Sequence, residues 1–228
     1  MNRIVKTVRA AFPLTLPILA AYWLIGLGYG LYATRLGLAW WFPLVTAAIV
    51  FSGSVEFILA TMFLGAFHPI AMFTMAFLVG SRHIFYGLSM LDRFKGAGWR
   101  KFFMIFLLSD ETFALTFRCQ PPRGINGHDF QLAVSILDWL YWLFGVAVGV
   151  FAANLLEGVD FRGIEFIMTA MFAAIFAENW RTEEHHAGSL IGLVVPTLAV
   201  FLFGPDDFIV PAMFGILAVL LAFRRKLQ

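Results

Sequence analysis

Five ionisable side chains interrupt runs of the chain that are otherwise apolar: Glu56, Arg82, His83, Asp110 and Glu111. The run 43–67 is broken by Ser52-Gly53-Ser54-Val55-Glu56, the run 69–91 by Gly80-Ser81-Arg82-His83, and the run 102–117 by Ser109-Asp110-Glu111. A charge at the centre of a bilayer costs about 3 kcal/mol or more, so residues of this kind line a polar pathway or a site. Gly53 and Ser54 let a helix break and turn its free backbone groups toward a cavity. A freed helix N-terminus offers N–H groups and partial positive charge to an anion such as a carboxylate. A freed C-terminus offers carbonyls to an ammonium. Paired broken helices therefore suit a zwitterion. The structural alternative at Glu56 is a capping residue in a surface loop.

On a helix, Arg82 and Tyr86 share a face, and His83 adjoins Tyr86. The Arg82 guanidinium is a fork of donors for a carboxylate, whether that of Asp110, of Glu111 or of a substrate. His83 titrates near neutral pH and is a candidate carrier of a coupling proton, as are Asp110 and Glu111. These two acids are neighbours and point about 100° apart on a helix. One of them can pair with Arg82 while the other faces a cavity. An ion pair that only holds the bundle together is the plainer reading of the same residues. The candidate substrate-binding set is Gly53, Ser54, Glu56, Arg82, Tyr86 and Asp110, and the candidate proton-coupling set is His83, Asp110 and Glu111.

The elements that position these groups are membrane helices. The chain has 228 residues, 61% hydrophobic and 13% charged, with mean hydropathy +0.85, against about 25% charged in a soluble domain. This composition predicts an all-α, polytopic membrane protein forming one domain over 1–228. The net charge of +2 is spread over loops and ends and implies no nucleic acid. Apolar segments fall at 12–32, 43–67, 69–91, 102–117, 132–156, 165–180, 189–203 and 207–223, and about 20 residues cross the hydrocarbon core as a helix. Arg3, Lys6 and Arg9 before the first run resemble a signal peptide, but no small-residue cleavage site follows, so the run is read as a retained span.

Counting Lys and Arg tests the topology. If all eight segments cross, nine basic residues lie inside and six outside. If 43–67 and 102–117 dip in and return, the split becomes thirteen inside and two outside, Arg35 and Arg162, with Arg82 in the membrane. Both termini are then cytoplasmic. The expectation is about six full spans plus two re-entrant or broken helical segments entering from opposite faces, the pattern of an inverted repeat whose broken helices meet near the midplane.

Other features carry less. Pro13, Pro17, Gly26, Gly28 and Gly30 make the first span kinkable and allow close helix approach. Trp139, Tyr141 and Trp142 read as interface or packing aromatics, and Asp138 beside them as near a membrane edge. Gly204-Pro205-Asp206-Asp207 reads as a turn. The lone Cys119 has no partner to bridge within the chain. Glu183-Glu184-His185-His186 lacks metal-ligand spacing and reads as a solvated loop. No metal pattern, phosphate loop or nucleophile elbow occurs in the sequence, so no cofactor and no enzyme activity are expected.

These motifs together resemble the AzlC family, the large subunit of two-component branched-chain amino acid exporters of bacteria. The resemblance rests on Pro17, Gly26 and Gly30, on Phe51-Ser52-Gly53-Ser54-Val55-Glu56-Phe57, on Ser81-Arg82-His83-Ile84-Phe85-Tyr86-Gly87-Leu88-Ser89 and on Ser109-Asp110-Glu111-Thr112-Phe113. They span roughly residues 12 to 150 in the family's order. The chain departs from the family pattern at Glu56, where Gln is usual, and at Gly80, where Asn is usual. Glu56 adds a titratable group, and Gly80 removes an amide that could bind substrate. The resemblance implies efflux of valine, leucine, isoleucine or similar small apolar amino acids across the bacterial inner membrane. It also implies a small AzlD-type membrane partner. Coupling to the proton gradient is inferred from His83 and the acids. A channel or uniporter for small ions or weak acids is the alternative reading, since it too uses opposed broken helices.

Overall fold

The first helix is the axis on which the site is assembled. In the computed structural model α1 runs Arg3–Arg35 and α8 runs Gly127–Leu155, and their pairing is the most extensive in the fold. Its closeness has a local cause. Gly26 and Gly30 on α1 face Gly145 and Gly149 on α8, each pair spaced four apart. A Cβ at Gly30 would stand 2.2 Å from the Val146 carbonyl oxygen, and one at Gly149 would stand 2.2 Å from that of Leu27. Only glycine lets the two backbones touch in this way. The helices are parallel: Ala11 packs with Phe130 and Val134, Gly26 lies against Trp142, and Gly30 against Val146 and Val150.

The structure describes residues 3–65, 67–118, 120–155, scattered positions between 166 and 181, 186–204 and 208–222. Cys119, Arg162, Glu183, Glu184, His185 and the turn residues 205–207 lie outside the described residues. Among the described residues the secondary structure is helical, with no strand. The chain forms two units, Met1–Ile167 and Met168–Gln228. In the second, Ala187–Phe203 (α9) pairs with Ile209–Ala222 (α10), close to the segments 189–203 and 207–223 expected from hydropathy. Gly215 makes room there for the Val195 side chain, which a Cβ would meet at 2.8 Å.

The first unit contains two helical hairpins. Trp41–Ile49 (α2) and Gly53–Met62 (α3) meet at their outer ends, where the Phe42 and Phe63 rings are 5.0 Å apart. This end follows directly on the C-terminus of α1. The tip holds Phe51 at φ +46°, a left-handed conformation costing about 1–2 kcal/mol for a bulky residue. Burial of its ring edge-on to Tyr22, at 6.3 Å, holds it there. The break lies at residues 50–52, so Gly53, Ser54 and Glu56 form the first turn of α3 rather than the gap itself.

Arg100–Phe106 (α6) and Asp110–Arg118 (α7) form the second hairpin. Its ends are tied to one neighbourhood. Arg93 donates to the Thr116 and Phe117 carbonyls. Arg100 Nε lies 2.9 Å from Asp129, whose other oxygen is 2.7 Å from Arg3. These contacts place both ends of the hairpin beside the N-termini of α1 and α8, opposite the base of the first hairpin. Both tips reach Tyr22, about 29 Å along α1 at ~1.5 Å per residue, the second through Ser109.

Pro69–Gly80 (α4) and Arg82–Met90 (α5) connect the two ends. Pro69 opens α4, where its missing N–H is harmless. Met90 and Phe94 pack with Met104 and Leu108 near the second hairpin. Hydropathy predicts one continuous span over 69–91, but the structure interrupts it at Ser81, where the hydrogen bonds tighten to i→i−3 on both sides. The outward surface is rich in Leu24, Ile70, Phe73, Phe85, Phe144 and Phe151, the reverse of a soluble fold.

Candidate functional site

Three helix N-termini converge on one guanidinium. Ser54 stands in the first turn of α3, Arg82 opens α5 and Asp110 opens α7. Arg82 Nη2 donates to Ser54 Oγ at 3.0 Å and to Asp110 Oδ2 at 2.9 Å. The sequence left the partner of Arg82 open among Asp110, Glu111 and a substrate; of the two acids, the one it pairs with here is Asp110. The pair is only partly enclosed, with side chains 33% and 26% exposed. Its hydrogen-bonding capacity is half used: Arg82 Nε and Asp110 Oδ1 are buried without a partner. A carboxylate arriving here would meet the free edge of the fork and the dipole ends of α3, α5 and α7.

His83 Nδ1 lies 3.0 Å from the Gly80 carbonyl. A carbonyl can only accept, so Nδ1 carries the hydrogen and Nε2 remains the basic nitrogen. The His83 ring meets Tyr86 edge-on at 5.7 Å, and Tyr86 stacks on Phe113 of α7 at 4.5 Å. The expected adjacency of His83 and Tyr86 is thus present, and the Tyr86–Phe113 stack holds α5 against α7.

Glu56 is placed differently. It is 0% exposed and makes no ion pair among the described residues. Oε1 accepts the Ser52 backbone N–H at 3.0 Å, and both oxygens accept Trp142 Nε1–H, at 3.1 and 3.2 Å. It reaches back to the residue before its own helix as a capping carboxylate does, and it also ties α3 to α8. Gly53 belongs to the same arrangement, since a Cβ there would lie 3.0 Å from the Trp142 ring. The capping role raised for Glu56 is therefore present, but in the interior rather than in a surface loop.

Glu111 turns away from Arg82 and accepts the Tyr22 hydroxyl. Tyr22 Oη is also 2.7 Å from Ser109 Oγ. Ser109 caps α7 by accepting the Thr112 N–H at 3.1 Å. Its hydroxyl reaches Thr112 Oγ1 at 2.9 Å, and Thr112 in turn reaches Asp138 Oδ2 at 2.7 Å. Asp138 is 0% exposed and lies six residues into the apolar run 132–156. Asp138 is thus enclosed by the protein: α8 begins at Gly127, capped by Asn126, and Asp138 falls about three turns inside it, against Thr112 of α7.

Trp142 and Tyr141 are buried packing residues, and Trp139 donates to the Ala48 carbonyl at 3.3 Å. Tyr22 and Thr112 carry no site signal of their own in the sequence, and Trp142 reads there as a packing aromatic with no sign of its bond to Glu56. Asp138 did carry a signal, as an acid inside the apolar run 132–156. A groove lined by Ile4, Val5, Val8, Arg9, Phe12 and Pro13 lies along the start of α1, away from these residues. No cluster with the make-up of a metal site occurs among the described residues.

Broken helices around buried acids, under an apolar exterior, define a helical membrane protein with a polar interior. Comparison with known proteins agrees. The family model described as "AzlC protein" matches residues 17–156, and the chain belongs to the AzlC family. It is 37% identical over 220 residues to the branched-chain amino acid transport protein AzlC of Bacillus subtilis, covering 96% of this chain and 86% of that protein. An uncharacterized membrane protein of Haemophilus influenzae is 33% identical over 100% of this chain and 93% of its own. The inner membrane protein YgaZ of Escherichia coli is 28% identical over 71% of this chain and 67% of its own. No solved structure matches the chain.

Proposed function

We propose that this chain is the large subunit of an inner-membrane exporter of branched-chain or similar small apolar amino acids, working with a small AzlD-type membrane subunit. The observation that carries this reading is the half-used Arg82–Asp110 pair at the meeting point of three helix N-termini. A substrate carboxylate takes the free edge of Arg82, with the backbone at Gly53 and Ser54 beside it. Asp110 is displaced from Arg82 and faces the substrate ammonium. Tyr86 frames the position, and His83, Asp110 and Glu111 exchange the coupling proton. Glu56 acts from behind by fixing the first turn of α3.

In this reading α1, α4–α5 and α8 cross the bilayer, and the two hairpins are re-entrant from opposite faces. Both termini are cytoplasmic and the chain works as one transport domain. The Arg3–Asp129–Arg100 contacts support it, because eight full crossings would put Arg100 on the side opposite Arg3. The 37% identity to a protein named for branched-chain amino acid transport supports the substrate class.

The test is valine retention in cells loaded with a valine-containing dipeptide, with and without the chain and its partner gene. Expression lowers intracellular valine, and Arg82→Ala abolishes the effect. Equal retention in all strains would overturn the reading. Flux in proteoliposomes that follows voltage and ignores amino acids would favour the channel alternative.

A further inference from the structure

We propose that Asp138 and Glu111 are the two ends of one proton-sharing chain, running Glu111–Tyr22–Ser109–Thr112–Asp138, which holds a single transferable proton. The observation is a continuous series of hydrogen bonds across α1, α7 and α8: Tyr22 with Glu111, Tyr22 with Ser109 at 2.7 Å, Ser109 with Thr112 at 2.9 Å, and Thr112 with Asp138 at 2.7 Å.

Proton counting gives the state of the chain. There are four links but only three hydroxyls to supply hydrogens, those of Tyr22, Ser109 and Thr112. With both carboxylates ionised, one link is left as oxygen facing oxygen. With both protonated, two donors face each other. With one carboxyl proton every link is filled, and it can be filled in either sense. In one sense Glu111 holds the proton and donates to Tyr22, Tyr22 donates to Ser109, Ser109 to Thr112, and Thr112 to the Asp138 carboxylate. In the other sense each arrow reverses.

Passing between the two states breaks one O–H bond and forms another at every link. Glu111 loses a proton, Asp138 gains one, and the three hydroxyls end as they began. The Ser109 oxygen also accepts the Thr112 N–H in both senses, which holds the middle of the chain in line.

The groups around the chain favour motion along it. Asp110 adjoins Glu111, but its charge is engaged by Arg82 of α5. Glu56 of α3 is tied to Trp142, which packs edge-on against Tyr22 at 5.5 Å. His83 and Tyr86 of α5 lie on the Arg82 side. Asp138 Oδ1 is buried without a partner, leaving that carboxyl an open coordination position at the far end. The chain thus links the neighbourhood of the Arg82 site to the interior face of α8. It deepens the proposed transport reading by adding a proton position, but its existence does not depend on the substrate.

Infrared difference spectroscopy of the purified full chain in lipid, across a pH titration, tests it directly. The expected result is one protonated-carboxyl band that both Asp138→Asn and Glu111→Gln alter. Tyr22→Phe should resolve it into two independent titrations, and Thr112→Ser should leave it intact. Two bands in the unaltered chain, each removed by only one of the acid substitutions, overturn the proposal. A second arm uses proteoliposomes with the partner subunit. In Asp138→Asn, pH-gradient-driven valine flux should fall roughly a hundredfold, the lower end of what a positioned proton transfer contributes, while valine–valine exchange persists. Loss of exchange as well, in a folded variant, makes Asp138 merely structural and overturns the coupling role. If the unaltered chain moves no valine, the substrate reading fails while the infrared result still decides the proton chain.

Discussion

Glu56 offers a substitution pair whose outcomes separate hydrogen bonding from charge. Glu56→Gln keeps a carbonyl oxygen where Oε1 stands, and that oxygen can accept both the Ser52 N–H, now at 3.0 Å, and Trp142 Nε1–H, now at 3.1 Å. The amide NH2 takes the place of Oε2, a donor where Trp142 Nε1–H now finds an acceptor at 3.2 Å, so that N–H must turn wholly to the retained oxygen. Glu56→Leu removes both acceptors and strands two buried donors. At about 1–3 kcal/mol per stranded donor, the leucine variant should lose about 2–6 kcal/mol, and the glutamine variant about 1 kcal/mol or less. Thermal unfolding in detergent, followed by tryptophan fluorescence, reads both, since Trp142 is itself a partner. The leucine variant should unfold well below the parent and the glutamine variant close to it. If the two fall equally, the carboxylate charge and not the acceptor geometry holds this corner, and the reasoning here is wrong. Valine export in the glutamine variant then asks a separate question, whether the charge also serves transport.

Other outcomes follow from the same geometry. Gly149→Leu should prevent α1 and α8 from closing, because even its Cβ would stand 2.2 Å from the Leu27 carbonyl; overpacking costs about 1–3 kcal/mol where neighbours can yield, and more is expected against backbone, seen as loss of monodisperse protein on size exclusion. Arg82→Lys should fold but export poorly, since an ammonium that takes the place of Nη2 between Ser54 and Asp110 leaves no forked edge for a substrate carboxylate; wild-type export by this variant would remove Arg82 from the site. With Cys119→Ser as background, a cysteine at Trp40 should react with an impermeant reagent from the periplasmic side, and one at Trp99 only from the cytoplasmic side; both residues are exposed. Reaction of both from one side would contradict opposed hairpins.

Much of the site was legible because a charge in an apolar run is conspicuous. Ser52–Glu56 and Ser109–Glu111 stood out on that ground, and helices do break beside both. The gaps end four residues before Glu56 and one before Asp110, because a serine, Ser52 or Ser109, closes each gap and the acid then sits in the first turn of the next helix. Gly80-Ser81-Arg82-His83 marks the interruption at Ser81 in the sequence as a polar gap but not as a helix break, because the dihedrals at Ser81 stay helical. The choice of Asp110 over Glu111 by Arg82 was also beyond reach. Adjacent residues on a helix point in different directions, and only the placement of α7 between α1 and α5 decides which acid meets which partner.

The sequence by itself determined the all-helical membrane class, the positions of the broken segments and the family, because hydrocarbon demands long apolar helices and tolerates charge only where something compensates it. Gly26, Gly28 and Gly30 also marked the first span for close helix approach, while the structure chose α8 and its Gly145 and Gly149 as the partner. Only the tertiary structure decided that Glu56 serves Trp142 and Ser52, that both hairpin tips reach Tyr22, and that Asp138 is joined to Glu111 through three hydroxyls. Those relations bridge up to 89 residues of chain. Hydrogen bonds of about 3 Å depend on how helices are set against one another, which no local pattern of residues specifies.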